Sequence, residues 1–396
     1  MNKKISTLAV AALFSLTAIT ASAATTYTFT LLDALGGTSV SSSSGAMNGS
    51  GQIIGISGDS SSISKATLWN NKSPSELKSL GDATREGFGY NINASGQIVG
   101  VSYNGTSASS VAKATYWSST SPNSPVELSS LGGATKSGNA IDINASGQIV
   151  GNTKNSVGTS KATLWNSNTS TPVELTSLQA STATTGSAAG INASGQIVGY
   201  SQSSNGTKAT LWSTSSTSTP VLLESLGGGN LSGNANDINA SGQIVGASKD
   251  STGLLKATLW TTSPSLFASG PTLLESLGGA NQTGSASYIN ASGIVVGNSK
   301  NSLSIQSATL WTNGVATDLN DFLSDSNKTA GWVLNNATYI SDDGNSFLGF
   351  AKKGALTQGF LLQSVAAVPE ADTSAMLLMG AGVMGFIARR RKQVAA

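Results

Sequence analysis

The chain has 396 residues, a formal charge of +2, only 10% charged residues and 46 glycines, and it contains neither His nor Cys. An average globular protein carries roughly 25% charged residues. Without His and Cys there is no Ser-His-Asp or Cys-His nucleophile system, no disulfide, and none of the usual ligands for zinc, haem or iron–sulfur centres.

In chain order, residues 1–23 read as a secretory signal peptide. Lys3 and Lys4 precede an apolar run from Leu8 to Ile19, and the small residues Ala21 and Ala23 form a cleavage pattern. Signal peptidase is expected to cut after Ala23. The β-type pattern starts immediately afterwards and opens a body over residues 24–365. That body keeps 15 basic and 17 acidic residues, a formal charge of −2. The basic excess therefore belongs to the ends and is no nucleic-acid footprint.

The body is repetitive. The unit Ile-Asn-Ala-Ser-Gly-Gln-Ile-Val-Gly recurs with small changes at Asn48, Asn93, Asn144, Asn192, Asn239 and Asn290. Ala-Thr-Leu-Trp or a close variant ends at Trp69, Trp117, Trp165, Trp212, Trp260 and Trp311. Leu-Gly-Gly segments form a third landmark, around Leu35, Leu80, Leu131, Leu178, Leu226 and Leu277. A seventh, eroded copy carries Asp318-Leu319-Asn320, Ile340-Ser341-Asp342-Asp343-Gly344 and Gly359-Phe360-Leu361-Leu362. The period is about 48 residues, which marks a repeat architecture.

Four short strands are expected per unit. In one unit they are Val126–Leu128, Asn139–Ile143, Gln148–Val150 and Lys161–Trp165, with the unit starting at the strand before Leu-Gly-Gly. Asn-Ala-Ser-Gly is expected to be a tight hairpin, because Asn and Ser bond their own backbone and Gly147 accepts a positive φ. Ser/Thr/Asn-rich stretches such as Ser118 to Ser124 are expected to be surface loops. Seven such units predict an all-β, seven-bladed β-propeller, since one blade cannot bury both faces of its sheet but a closed ring can. An open β-solenoid is the alternative. The Tyr27–Leu32 strand is expected to complete the last sheet beside Phe360–Leu362 and so close the ring. The recurrent Trp is read as packing between blades.

Chemistry-bearing patterns are sparse. Lys65, Lys113, Lys161, Lys208 and Lys256, with Glu76, Glu127, Glu174, Glu224 and Glu275, suggest one cross-strand ion pair per unit. Exposed pairs of this kind are worth about 0–1 kcal/mol. A glycosidase needs two carboxylates about 5–9.5 Å apart, and nothing in the repeat singles out such a pair. Asp342-Asp343-Gly344-Asn345 and the group Asp321, Asp325 and Asn327 are weak calcium candidates, better read as turns. No catalytic, cofactor-binding or metal-binding residue is expected, and the chain is read as a non-enzyme.

Residues 366–396 form the second targeting segment. Val368, Pro369 and Glu370 precede a short polar spacer, an apolar stretch over residues 375–388, and the cluster Arg389, Arg390, Arg391 and Lys392. A stretch of 14 is short for a span, which usually needs about 20 residues. The terminal cations are expected to stay cytoplasmic, which leaves the body outside the inner membrane during a transient insertion.

This tail resembles the PEP-CTERM sorting signal of Gram-negative bacteria, with Ala371 where that family usually has a second proline. The resemblance implies recognition by an exosortase and release to the cell surface or exopolysaccharide matrix. The body resembles the extracellular HAF-repeat family through its Ile-Asn-Ala-Ser-Gly-Gln-Ile-Val-Gly units, Leu-Gly-Gly segments and Ala-Thr-Leu-Trp strands. Lys-Ala-Thr stands where the family's name-giving His-Ala-Phe would be. That family carries no established catalytic residues to transfer. The expected role is binding or scaffolding within an extracellular polysaccharide. The alternatives are a lectin-like propeller with one glycan pocket per blade, and a matrix hydrolase.

Overall fold

The computed structural model describes residues 26–37, 42–81, 85–104, 111–179, 184–213, 219–262 and 270–365. Its strands form seven four-stranded sheets. Blade 3 shows the pattern. Strand a is Gly138–Ile143, b is Ile149–Lys154, c is Ser160–Trp165 and d is Val173–Glu174. Consecutive strands pair antiparallel. Each blade packs its b strand against the a strand of the next, and Ser42–Met47 of blade 1 packs on Ser346–Lys353 of blade 7. The ring is closed, so the molecule is a seven-bladed β-propeller and not an open solenoid.

Closure uses the predicted strand exchange. Thr26–Leu31 is the outermost strand of blade 7, hydrogen-bonded to Leu356–Val365. Leu32 N–H donates to the Gly359 carbonyl at 2.8 Å. The buried Ser42 hydroxyl then links the first and last strands of the ring, donating to Leu32 O at 2.9 Å and accepting from Gly359 N–H at 3.1 Å. The seventh blade replaces the repeat's Trp with an aromatic group. Tyr27 stacks on Phe322 at 4.4 Å, and Phe347 and Phe360 are buried beside them.

Two expectations change. The strand before Leu-Gly-Gly does not start a unit. It is the outermost strand of the preceding blade, as Ser121–Glu127 pairs with Val111–Ser118. Ser118–Ser124 is accordingly a tight hairpin rather than a loop, with Ser118 opposite Ser121. The reason is connectivity. A short turn returns the chain antiparallel to the strand it has just left, while Leu-Gly-Gly makes the longer crossing to the next blade.

The nine-residue motif has a reason at most positions. In blade 3, Ile143, Ile149 and Val150 are buried. Ala145 and Ser146 are exposed at the turn, and Gly147 has φ +80°. The final glycine answers a different demand. Strand a carries a bulge between Ala140 and Asp142, which drives the Asn139 carbonyl toward Gly151. A Cβ on Gly151 would lie 2.0 Å from that oxygen. Gly100, Gly199, Gly246, Gly297 and Gly349 meet the same carbonyl at 2.0–2.2 Å.

The repeated tryptophans sit between blades, as expected. Trp117 of blade 2 packs with Ile54, Leu68 and Leu77 of blade 1, and Trp165 packs with Val99, Ala114 and Leu128 of blade 2. Each indole N–H also finds a carbonyl. Trp165 donates to Ser129 at 2.8 Å and Trp260 to Glu224 at 2.6 Å. Burying the ring removes a large apolar area from water, and the bond satisfies its one polar atom.

Candidate functional site

The a–b turns gather at one end of the ring, and their asparagines join blade to blade. The Asn144 carboxamide oxygen accepts from Ser146 N–H at 3.1 Å and Gln148 N–H at 3.0 Å, which builds the turn. Its Nδ2 donates to Gln148 Oε1 at 2.9 Å and to the Asn192 main-chain carbonyl of the next blade at 3.2 Å. The same bridge runs from Asn93 to Asn144, Asn192 to Asn239 and Asn239 to Asn290. In the seventh blade Ser341 O receives the last of these bonds, from Asn290 at 3.0 Å. The asparagine is therefore more than a turn former. It adds a second hydrogen bond to a buried carbonyl that already accepts from the glycine N–H of its own turn, and so links successive blades.

Beside this relay, the innermost strands bring together residues the repeat pattern did not single out. The position before each Ile-Asn, or before Met47-Asn48 and Ile340-Ser341 in blades 1 and 7, is Ala46, Asn91, Asp142, Gly190, Asp237, Tyr288 and Tyr339 in successive blades. Asp142 Oδ2 accepts from Ile191 N–H of blade 4 at 2.7 Å, and its Oδ1 accepts from Ile143 N–H and from Asn91 Nδ2 of blade 2. Asp237 accepts from Ile238 N–H at 2.8 Å and from Ile289 N–H of blade 6 at 2.9 Å. Tyr288 and Tyr339 lie with ring centroids 4.7 Å apart.

Burial pushes the Asp142 carboxyl up from 3.8 to about 6, against the lowering effect of its three hydrogen bonds. Asp237 is pushed up to about 7, first by burial and then by the charge of Asp142. Burial also raises Tyr288 well above the usual range and Tyr339 to about 12. This is a pair of proton-holding carboxyls at the ring centre, one each from blades 3 and 5. A signal for it was present, since this is a motif-adjacent position where the repeat fails and the side chains become polar.

The repeated lysines are buried, not surface partners. Lys65, Lys113, Lys161, Lys208 and Lys256 are 1–6% exposed. Lys65, Lys113 and Lys161 pair with Glu76, Glu127 and Glu174 at 3.9, 2.9 and 3.4 Å. Lys256 pairs with Asp250 at 3.8 Å. No carboxylate lies within ion-pair reach of Lys208 among the described residues. The ammonium groups also hold the connectors to the next blade. Lys208 donates to Gly229 O and Leu231 O, both at 2.9 Å, and Lys113 to Ala134 O and Lys136 O. A buried ammonium needs several acceptors at once, and the connector supplies carbonyls at the right height.

The calcium candidates are turns and caps. Asp343 accepts from Ser341 Oγ and Asn345 N–H, and Asp342 from Ala291 N–H at 3.2 Å. Ser324 caps the short helix Asp325–Thr329 by accepting from Asn327 N–H. Among the described residues no three His, Cys, Asp or Glu side chains stand where they could share a metal. The cleavage residues Ala21 and Ala23, the motif Val368, Pro369 and Glu370, the expected short transmembrane helix, and Arg389, Arg390 and Arg391 lie outside the described residues.

Comparison with known proteins adds one motif and a fold. Residues 367–392 match the PEP-CTERM protein-sorting motif. This tail marks the protein as exported, sorted to the cell surface, and recognised by an exosortase. No curated protein matches the chain. A Mycobacterium tuberculosis puromycin-hydrolyzing peptidase is similar in fold at 11% identity, TM-score 0.53, over 84% of this chain and 54% of its own. The chain thus spans about half the length of that relative. TolB from Acinetobacter baumannii aligns at 11% identity, TM-score 0.41, over 76% of each chain. SapL1 lectin in complex with alpha methyl fucoside aligns at 13% identity, TM-score 0.36, over 70% of this chain and 95% of its own.

Proposed function

We propose that this protein is a non-enzymatic binding or scaffolding propeller of the extracellular polysaccharide matrix of a Gram-negative bacterium. The observation that carries the reading is the union of a sorting tail at residues 367–392 with a closed seven-bladed ring. The resemblance of the repeats to extracellular HAF-repeat proteins points the same way. The way the polar side chains are spent supports it too. The repeated Asn, Lys and Trp groups hold blades and connectors together, and the central carboxyls Asp142 and Asp237 are each engaged by two backbone N–H groups. That engagement favours a structural over a catalytic use. The likeness to a peptidase is one of fold alone.

Two experiments test the reading. Deleting residues 368–396 should change where the protein is found, and unchanged localisation would overturn the role of the tail. Calorimetric titration of the exported protein with the producing organism's own exopolysaccharide should give saturable binding with unchanged polymer length. Absence of binding would remove the polysaccharide as ligand, and shortening of the polymer would replace scaffolding with hydrolysis.

A further inference from the structure

A cavity of about 550 Å³ lies between blades 4 and 5. Its volume falls within the roughly 300–1,000 Å³ usual for small-molecule sites. Thr185, Tyr200, Gln202 and Thr207 line it from blade 4, and Ser232, Asn234, Asn236 and Leu255 from the blade 5 side. It lies near the b–c hairpin that joins Ser203 to Gly206, at the opposite end of the strands from the Asn turns. No charged side chain lines it.

Three features point to a ligand. First, its polar groups are uncommitted. Among the described residues the hydroxyls of Thr185, Tyr200 and Ser232 make no hydrogen bond. Gln202 uses only its Oε1, for Thr207 at 3.3 Å, and Asn234 only its Nδ2, for Asn236 at 2.6 Å. Free donors and free acceptors therefore face one space. Second, apolar surface stands beside them. Leu255 is 39% exposed, and Ile141 and Ala189 form part of the wall. Third, the lining comes from positions that the repeat leaves free to vary. The Tyr200 position holds Ile56, Val101, Asn152, Ala247 and Asn298 in other blades, and the Gln202 position holds Gly58, Tyr103, Lys154, Lys249 and Lys300. The Leu255 position holds Ser64, Ala112, Ser160, Thr207 and Gln306. A side chain kept for ring packing would repeat. These do not, and Tyr200 puts an aromatic ring where no other blade of this set has one.

We propose that this cavity is a binding site for a neutral saccharide, one per chain. Sugar hydroxyls both donate and accept, and so match the mixture of free hydroxyl, amide N–H and amide oxygen groups. The apolar C–H face of a pyranose suits the Tyr200 ring and Leu255. The lack of charged groups disfavours uronic acids, whose desolvated carboxylate would find no cation here. This inference rests on the polysaccharide-binding reading and narrows it to a sugar class and a place.

The test uses the exported form of the chain. Glucose-, galactose- and mannose-containing neutral disaccharides, and a glucuronic-acid-containing disaccharide, are titrated into wild type, Tyr200→Val and Gln202→Lys. Both substitutions borrow the residue of a sister blade, so the fold tolerates them, and a thermal melt checks this. Wild type should bind at least one neutral disaccharide at one site per chain, and the acidic one at least tenfold more weakly. Each substitution should weaken the neutral sugar tenfold or more. Binding of no neutral sugar, several equivalent sites per chain, or unchanged affinity in both variants would overturn the proposal. Exopolysaccharide binding that persists at wild-type strength in Tyr200→Val would also overturn this site while leaving the broader reading intact. Loss of exopolysaccharide binding in wild type would remove both.

Discussion

The asparagine relay makes a prediction that separates two roles of one side chain. Asn144 builds its own turn through Oδ1 and ties blade 3 to blade 4 through Nδ2. Asn144→Ala removes both. Ser146 is exposed and its N–H recovers water. The buried Asn192 carbonyl keeps the Gly195 N–H at 3.1 Å but loses its second donor, and the half-buried Gln148 N–H loses its acceptor. A lost hydrogen bond costs about 0.5–1.5 kcal/mol and an unpaired buried group about 1–3 kcal/mol, so the expected loss is about 2 kcal/mol. With about 2.1 cal/mol/K of unfolding entropy per residue, a ring of this size should melt about 3 °C lower. Asn144→Asp keeps the turn acceptor and lets Gln148 rotate its amide to donate. It places an anion against the Asn192 carbonyl, which cannot rotate away. Asn144→Asp should therefore also be destabilised at pH 8 and recover part of the loss near pH 4, where a protonated carboxyl can donate to that carbonyl. The assay is a thermal melt of each variant against wild type at both pH values, followed by circular dichroism and tryptophan fluorescence. Wild-type stability of Asn144→Asp at pH 8 would refute the bridge. Equal loss in Asn144→Asp at both pH values would refute the proton argument.

Two further outcomes follow from the same geometry. The Asp142 and Asp237 carboxyls hold their protons to about pH 6 and about pH 7 when folded, above the usual 3.8. The folded state therefore binds more protons than the unfolded chain through this range. The associated stability is complete below pH 3.8 and is lost as pH rises through the folded values, so urea unfolding should show higher stability at pH 5 than at pH 8. The difference should be on the order of 4 kcal/mol, and Asp237→Asn should flatten the slope whatever its offset; a stability that rises from pH 5 to pH 8 would contradict it. Gly151→Ala should prevent the ring from folding normally, since its Cβ would lie 2.0 Å from a backbone oxygen, whereas Gly147→Ala, at φ +80° with a Cβ that would only touch the Gln97 side chain at 3.4 Å, should cost only about 1–2 kcal/mol of backbone strain; comparable melts for the two would refute the bulge argument.

The amino-acid sequence alone determined the fold class, the number of blades and the closure by the first strand. These are consequences of repetition. A hydrophobic pattern with four strands per period must bury two faces, and only neighbouring copies can supply the cover. The tail likewise announced its address through local chemistry. The blade boundary was not legible, because whether the Val126–Leu128 strand belongs before or after Leu-Gly-Gly depends on which neighbour it bonds, and periodicity is blind to phase. The lysines were misread as surface groups, since nothing local reveals that the next connector brings carbonyls to Lys113 and Lys208. The reason for the final glycine of the motif was equally hidden, because a strand bulge presses a carbonyl from another part of the blade against it. The central Asp142–Asp237 pair and the Tyr200 cavity were left to tertiary structure for one common reason. Both are made at positions the repeat leaves variable, from residues of different blades that meet only when the blades pack together. Repetition is what the sequence displays most plainly, and it conceals the departures from itself until three dimensions collect them.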